Sequence, residues 1–171
     1  ACEARGLELP TLSDATITQL RAFLPATASV ANPVDMIASA TAEHYLKAMG
    51  AVLRDDRVDS LIVIFIPPLL TSPESVATAI VEAAKEANGK PILANFLSAA
   101  GAPEILGNIP SYTFPEAAAT ALARVTVYSE WRRRPHGTVP QFEDLRADEA
   151  RAVVEQALAR GGGWLAPLEI K

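Results

Sequence analysis

The sequence has a single cysteine, Cys2, among its 171 residues. A disulfide within one chain is therefore impossible, and a metal site built on several cysteines is excluded. Aromatic residues make up only 6% of the chain, and the formal net charge is −5. Because nucleic-acid-binding surfaces are basic and often interleaved with aromatic side chains, this composition argues against nucleic acid as a main partner.

Long apolar runs are also missing. No stretch reaches the roughly 20 residues that a membrane-spanning helix needs, and the sequence shows neither a secretory signal peptide nor a starting methionine. We therefore expect a cytoplasmic protein with no membrane partner, and we expect the 171 residues to be a piece of a longer polypeptide.

The sequence lacks the motifs of several common active sites. It contains neither a Gly-x-Gly-x-x-Gly turn nor a Walker sequence. Its two histidines are His44, beside the apolar stripe of a predicted helix, and His136, in a predicted linker. Neither falls on a turn that follows a strand, so no Ser/His/Asp or Cys/His nucleophile arrangement is visible. We predict no catalytic residue and no metal ligand in this chain.

What is present is an alternation of strands and helices. Half of the residues are hydrophobic, enough for a domain with a real core. Such alternation predicts an α/β fold in which helices cover both faces of a parallel sheet. The predicted strands cover residues 29–31, 61–66, 90–97 and 111–114, and the predicted helices cover 13–23, 41–53, 73–87, 103–106, 116–131 and 146–160, with residues 1–6 as the end of a further helix.

The most informative stretch covers residues 61–74. It begins with an unbroken apolar run, typical of a strand buried on both faces, and two prolines then end the strand. Thr71 or Ser72 can cap the next helix, with Pro73 at its first position and Glu74 in its first turn. The free amides of such a helix start favour an anion. The alternative is a well-capped crossover that binds nothing.

Three turns follow predicted strands and should converge at one edge of the sheet. They cover residues 32–35, 67–72 and 98–101. These turns offer small polar side chains, free amides and one carboxylate, which favour contact with a phosphate over metal binding or nucleophilic chemistry. For Asp35 the alternative is that it only holds its own backbone in an Asn-Pro turn. The supporting residues in this hypothesis are Asn32, Asp35, Ser98 and Gly101.

Five blocks stand out along the chain: VANPVDM at 30–36, RDDRVDSLIVIFIPPLLTSPESVATAI at 54–80, KPILANFLSAAG at 90–101, IPSYTFPEAAATAL at 109–122 and VYSEWRRRPHG at 127–137. In this order and spacing they resemble the NDP-forming acyl-CoA synthetases, a family that includes ADP-forming acetate–CoA ligases and relatives of succinyl-CoA synthetase. The resemblance covers nearly the whole chain. It implies a three-layer, flavodoxin-like domain, the second of two in the family.

The resemblance also implies a function. The family interconverts acyl-CoA, ADP and phosphate with free acid, CoA and ATP through a phosphorylated histidine, which lies in an upstream domain and has no match here. Two helix N-termini hold that phosphohistidine, and the helix start at 71–75 resembles the second of them. The implied phosphate-binding residues are Thr71, Ser72, Glu74 and Ser75.

The same resemblance implies partners and cofactors. The partners are the CoA-binding, phosphohistidine and ATP-grasp domains or subunits of the same synthetase, with a homo-oligomer also possible. CoA, ADP or ATP, and Mg²⁺ are expected for the full-length protein, and none for this chain alone, which we expect to be inactive. One alternative is a degenerate regulatory domain of a protein acetyltransferase; another is a structural docking domain that dimerises through residues 146–160.

The implied domain boundaries divide the chain near residue 134. Residues 1–134 would form the flavodoxin-like domain, which in the family begins with a Gly-rich strand and helix. Here only ACEARG remains of that helix, so the first strand is expected to be missing. Residues 135–171 would form a linker and an amphipathic helix leading toward an absent ATP-grasp module.

Overall fold

The computed structural model describes residues 1–67, 71–98, 101–140, 142 and 145–170. They form two compact units, 1–133 and 134–171. The helices and strands are α1 (Asp14–Arg21), α2 (Ala42–Leu53), β1 (Leu61–Phe65), α3 (Pro73–Lys85), β2 (Ile92–Phe96), β3 (Ser111–Tyr112), α4 (Pro115–Arg133) and α5 (Ala147–Ala159), with short 3-10 turns at Glu3–Arg5 and Glu104–Leu106.

The described sheet has three parallel strands in the order β1-β2-β3. Leu61 is in register with Ile92, and Phe65 with Phe96, so the carboxyl ends of β1 and β2 lie side by side. β2 is buried along its whole length, as expected for the central strand of a parallel sheet. The predicted α/β architecture, a parallel sheet with helices on both faces, is confirmed.

The predicted strand at 29–31 is wrong. Ser29 forms only an isolated antiparallel bridge with Asp35, and residues 30–34 between them turn back on themselves. Pro33 has no N–H to give to a sheet, and the short segment pairs with itself instead of with β1. The predicted helix end at 1–6 is a 3-10 turn that ends at Gly6, whose φ of 78° suits glycine.

Three layers make up the first unit. α2 and α3 pack on one face of the sheet, where Phe65 and Phe96 lie 1% exposed with ring centroids 5.5 Å apart. α4 covers the other face through Ala118 and Leu122. α1 packs against α2, and its side chain Leu20 is fully buried. Each of these helices packs through an apolar stripe, and this packing fixes where its N-terminus lies.

Asp55 is the buried charge that fastens the end of α2. Its carboxylate accepts hydrogen bonds from the amides of Ser13 at 2.8 Å and Arg57 at 3.0 Å. Burial raises the pKa of Asp55, but these amide bonds and the hydroxyls of Thr16 and Ser13 outweigh it and hold the pKa at about 2. Lys90 adds two 2.8 Å bonds from its ammonium group to the carbonyls of Leu53 and Asp55.

We expect Asp55→Asn to lower the free energy of unfolding at pH 7 by about 2 kcal/mol, since the pKa falls from 3.8 to about 2 on folding. A lowered folded-state pKa stabilises the fold above the unfolded value, and this contribution disappears as the pH drops from about 4 through 2. Urea unfolding at pH 7, 5, 3 and 2 measures it. Asp56→Asn, at an exposed neighbour, is the control; equal stability of the two variants at pH 7 would contradict this account.

The second unit contains α5, which ends before Gly161. Beyond it, the Glu169 carboxylate accepts bonds from the Ala166 amide at 2.8 Å and from the Arg160 guanidinium at 2.6 Å. The Ala166 bond and then Arg160 lower the pKa of Glu169. Across the part of the chain that the structure describes, helices fall short of the length and apolar character needed to cross a membrane.

Candidate functional site

The start of α3 lies just beyond the carboxyl end of β1 and has the predicted cap. Ser72 is the N-cap in an extended conformation, and its hydroxyl accepts a hydrogen bond from the Ser75 amide at 3.2 Å. Pro73 occupies the first helical position and Glu74 lies in the first turn. The helix macrodipole therefore places partial positive charge at this point.

The number of donors left for an anion at this helix start is small. Pro73 has no N–H, the Ser75 amide is bonded to the Ser72 hydroxyl, and the Val76 amide donates to the Ser72 carbonyl at 3.3 Å. Among the described residues of the first turn, this leaves the amide of Glu74 as the backbone group that can face an anion.

Most hydroxyl groups at this helix start already donate a hydrogen bond within the chain. Thr71 donates to the carbonyl of Ala40 at 2.9 Å, and Ser75 donates to the carbonyl of Ser72 at 2.8 Å, so each has used its single hydrogen. The Ser72 hydroxyl accepts from the Ser75 amide, and among the described residues its own hydrogen has no acceptor. Among the four predicted phosphate-binding residues, Ser72 and the amide of Glu74 are thus equipped to bind, while the Glu74 carboxylate would repel a phosphoryl group.

Thr71 ties two segments of the chain together. Its bond to Ala40 ties the start of α3 to the segment between Asp35 and α2. Asp35 closes that segment by exchanging two 2.9 Å backbone bonds with Ser29, and its side chain accepts from the Ile37 amide at 2.9 Å. This is the arrangement that the structural alternative for Asp35 describes.

The other supporting residues also make local bonds. The Asn32 side chain donates to the carbonyl of Pro10 at 3.1 Å, toward the link that precedes α1. Ser98 donates to the carbonyl of Gly101 at 3.0 Å, which closes the turn after β2, and Gly101 has a φ of 75° that favours glycine there. Residues 68–70 and 99–100 of the predicted turns lie outside the described residues.

Tyr45 is a polar group near this site that the sequence pattern assigned only to the apolar stripe of α2. Its hydroxyl donates to the carbonyl of Ile64 at 3.3 Å, near the carboxyl end of β1. Burial raises the pKa of Tyr45, and the negative charge of Asp35 raises it further. The sequence carries no spacing signal for this effect of Asp35 on Tyr45.

Asn95 is the second polar group that sequence reasoning missed. It is fully buried on β2 beside the carboxyl end, and its amide group donates to the carbonyl of Tyr112 at 3.1 Å, which ties β2 to β3. Within the described residues its Oδ1 has no hydrogen-bond partner. The signal was the single polar residue in the strand sequence ILANF.

The two histidines have different surroundings in the structure. His44 forms a capping box with Thr41, whose amide donates to His44 Nδ1 at 3.1 Å, and its ring stacks on Phe23. His136 lies exposed in the second unit. The described residues also contain no group of three or more His, Cys, Asp or Glu side chains placed to hold a metal ion.

Residues 1–129 match the family model described as the Ligase-CoA domain. Over 127 residues the chain is 44% identical to the acetate–CoA ligase [ADP-forming] II subunit alpha of Pyrococcus furiosus, covering 70% of this chain and 28% of that protein. Over 167 residues it is 26% identical to acetate–CoA ligase [ADP-forming] I of Archaeoglobus fulgidus, covering 95% of this chain and 23% of that protein.

A solved structure shares the fold. It is the dinucleotide forming acetyl-coenzyme A synthetase 1 of Ca. Korarchaeum cryptofilum in complex with phosphate and ADP, with a TM-score of 0.67 and 30% sequence identity over 76% of this chain and 29% of that one. The chain thus spans less than a third of the length of the relatives that it matches.

Proposed function

Because the match over residues 1–129 shows that this chain belongs to the Ligase-CoA domain family, we propose that it is one part of an ADP-forming acyl-CoA synthetase. The reaction of the complete protein would convert acyl-CoA, ADP and phosphate into free acid, CoA and ATP. CoA, ADP or ATP, and Mg²⁺ would bind to other parts of that protein. A cytoplasmic location remains a prediction from the sequence.

The single observation that carries this proposal is the start of α3 at the carboxyl end of β1. Ser72 has a hydroxyl hydrogen with no acceptor among the described residues. It lies next to Glu74 at the first turn of a 13-residue helix. Preorganised donors and a helix N-terminus stabilise negative charge without reorganising during the reaction. We propose that Ser72 and the Glu74 amide contact a phosphoryl group that a histidine of another domain carries.

The remaining site residues would act by positioning. Thr71, through Ala40, fixes the start of α3 against the segment that Asp35 closes. Ser75 donates to the Ser72 carbonyl and holds the first turn in place. Ser98 and Gly101 shape the neighbouring turn after β2. These residues supply no proton and no nucleophile, so catalysis requires the partner that brings the histidine.

The few donors at this helix start favour a second candidate, a regulatory domain that has lost turnover. The helix start offers one first-turn amide and one hydroxyl, and Glu74 adds a negative charge beside them. A protein with such a degenerate helix start would bind an acyl-CoA or a nucleotide at another site. It would not form a phosphohistidine. Acid-labile phosphate on the complete protein would exclude this candidate.

The proposal predicts a difference between the complete protein and this chain. Purified from its cells, the complete protein should form ATP from acetyl-CoA, ADP and phosphate and should carry acid-labile phosphate during turnover. The 171-residue chain alone should do neither, because it lacks a histidine at the site. A coupled assay measures ATP, and phosphate released from the isolated protein by acid measures the phosphorylated histidine; a boiled sample is the control for both. Turnover by the chain alone, or none by the complete protein, would overturn the proposal.

A further inference from the structure

The start of α2 is capped through a histidine side chain. The His44 amide donates to the Thr41 hydroxyl at 3.3 Å, and the Thr41 amide donates to His44 Nδ1 at 3.1 Å. The Thr41 hydroxyl lies 3.3 Å from the same nitrogen. Glu or Gln is the usual residue at this third helical position, and both accept a hydrogen bond throughout the neutral pH range. An imidazole nitrogen accepts only while it carries no proton, so this cap requires an unprotonated Nδ1.

The charged groups beside the His44 ring largely cancel one another. Glu43 and Lys47, on the same helix, pair at 2.7 Å. Just after α1, the ring of Phe23 stacks on His44 with 6.3 Å between centroids, and the Lys47 ammonium lies 6.0 Å from that ring. Arg21, at the end of α1, donates to a backbone carbonyl at 3.0 Å. A positive charge on His44 would therefore mainly meet the partial positive charge of the α2 start, which opposes it.

A strained segment connects this cap to the start of α3. Ile37 has a φ of 58°, a conformation that a β-branched residue rarely adopts and that persists only where its surroundings hold it. Its amide donates to the Asp35 side chain at 2.9 Å, and its carbonyl accepts from the Ala40 amide at 3.2 Å. The Ala40 carbonyl accepts from the Thr71 hydroxyl at 2.9 Å. Ala40, next to the α2 cap, thus holds the residue that precedes the α3 cap.

We propose that His44 is a pH-sensitive positioning residue for the start of α3. While its ring is neutral, it holds the α2 cap, and through Ala40 and Thr71 it keeps the α3 start in place. When the ring gains a proton at Nδ1, the Thr41 amide loses its acceptor, and the strained segment 37–40 relaxes. Thr71 then no longer holds the α3 start. The effect on a phosphoryl group rests on the proposed function, whereas the movement of the two helix starts does not.

Amide hydrogen exchange in the 171-residue chain tests this movement. Between pH 8 and about pH 5.5, a range in which imidazoles gain their proton, the protection factor of the Thr41 amide should fall about tenfold. The Ser75 amide, which donates to the Ser72 hydroxyl at the α3 start, should lose protection over the same range. The Ala94 amide, which donates to the Pro110 carbonyl inside the sheet, is the internal control and should stay protected.

Two variants separate the steps. His44→Gln supplies an acceptor that does not titrate, so the Thr41 and Ser75 amides should both keep their protection at pH 5.5. Thr71→Val removes the bond to Ala40, so the Thr41 amide should still respond to pH while the Ser75 amide should not. Equal pH responses in the natural chain and in His44→Gln would overturn the proposal. A response at Thr41 without one at Ser75 in the natural chain would also overturn it.

The complete protein shows whether the movement affects the proposed reaction. The rate of phosphohistidine formation in His44→Gln, divided by that in the natural protein, should be about 1 at pH 8 and about threefold or more at pH 5.5. This ratio removes the pH dependence of groups that both proteins share. A flat ratio would overturn the role of His44 in the reaction. A complete protein without acid-labile phosphate would overturn the proposed function instead, and the exchange measurements would still decide whether His44 positions the α3 start.

Discussion

Replacing Ser72 by Asp in the complete protein will lower the rate of phosphohistidine formation by about 100-fold or more, the scale of losing one preorganised donor at a developing anion. The Asp carboxylate would lie beside the phosphoryl group, and two unit charges 4 Å apart near a protein surface repel by about 4 kcal/mol. Asn has the same shape without the charge, so Ser72→Asn should keep the rate within about tenfold of the natural protein.

The pair of variants separates charge from folding. Ser, Asn and Asp cap helices about equally well, so both substitutions should leave the free energy of unfolding within about 0.5 kcal/mol. Thermal unfolding of the 171-residue chain checks this, and quenched-flow measurement of acid-labile phosphate on the complete protein gives the rate. Equal rates for Ser72→Asp and Ser72→Asn would contradict a phosphoryl group at the start of α3.

Replacing Phe96 by Ala will lower the free energy of unfolding by about 3–5 kcal/mol, the range for a buried Phe→Ala change. Phe96 is 1% exposed, and its ring lies against that of Phe65, which in turn meets Tyr45 edge-on. The substitution leaves a cavity under α3 and also removes an aromatic contact. Since natural domains are stable by about 5–15 kcal/mol, much of the chain would unfold at moderate urea concentrations.

Phe114→Ala is the control for that experiment. Phe114 is the same residue type and lies on the same unit, but it is 61% exposed. Its replacement should change the free energy of unfolding by less than about 1 kcal/mol. Urea titrations followed by circular dichroism compare the two variants at pH 7. Equal destabilisation by both would show that the ring pair between β1 and β2 is not the centre of the core.

The parts of the fold that the sequence predicts well are those with strong local signals. The cap at Ser72, Pro73 and the unbroken apolar run of β1 place both the strand and the next helix to within two residues. The segment at 29–31 has no such cap or long apolar run; it is predicted as a short strand, but Ser29 forms only an isolated bridge. Strand formation there depends on a neighbouring strand, and a local pattern does not report whether one is available.

The candidate site, too, is predicted by the sequence only in part. The position of the α3 start follows from the sequence, but the use of each hydroxyl does not. Thr71 and Ser75 both have a hydroxyl group that could donate to a phosphate. In the structure each hydroxyl donates to a backbone carbonyl instead. The hydrogen bond from the Tyr45 hydroxyl to the carbonyl of Ile64 likewise joins α2 to β1. Such tertiary hydrogen bonds have no periodicity, so they become visible only once the chain is folded.

A structure of the complete protein trapped with its phosphorylated histidine would test the central claim most directly. The account predicts a phosphoryl oxygen within hydrogen-bond distance, about 2.6–3.2 Å, of both the Ser72 hydroxyl and the Glu74 amide. Thr71 should still be bonded to Ala40 in that state. A phosphohistidine that is bound by other helix ends, with the start of α3 in contact with a different part of the protein, would contradict it.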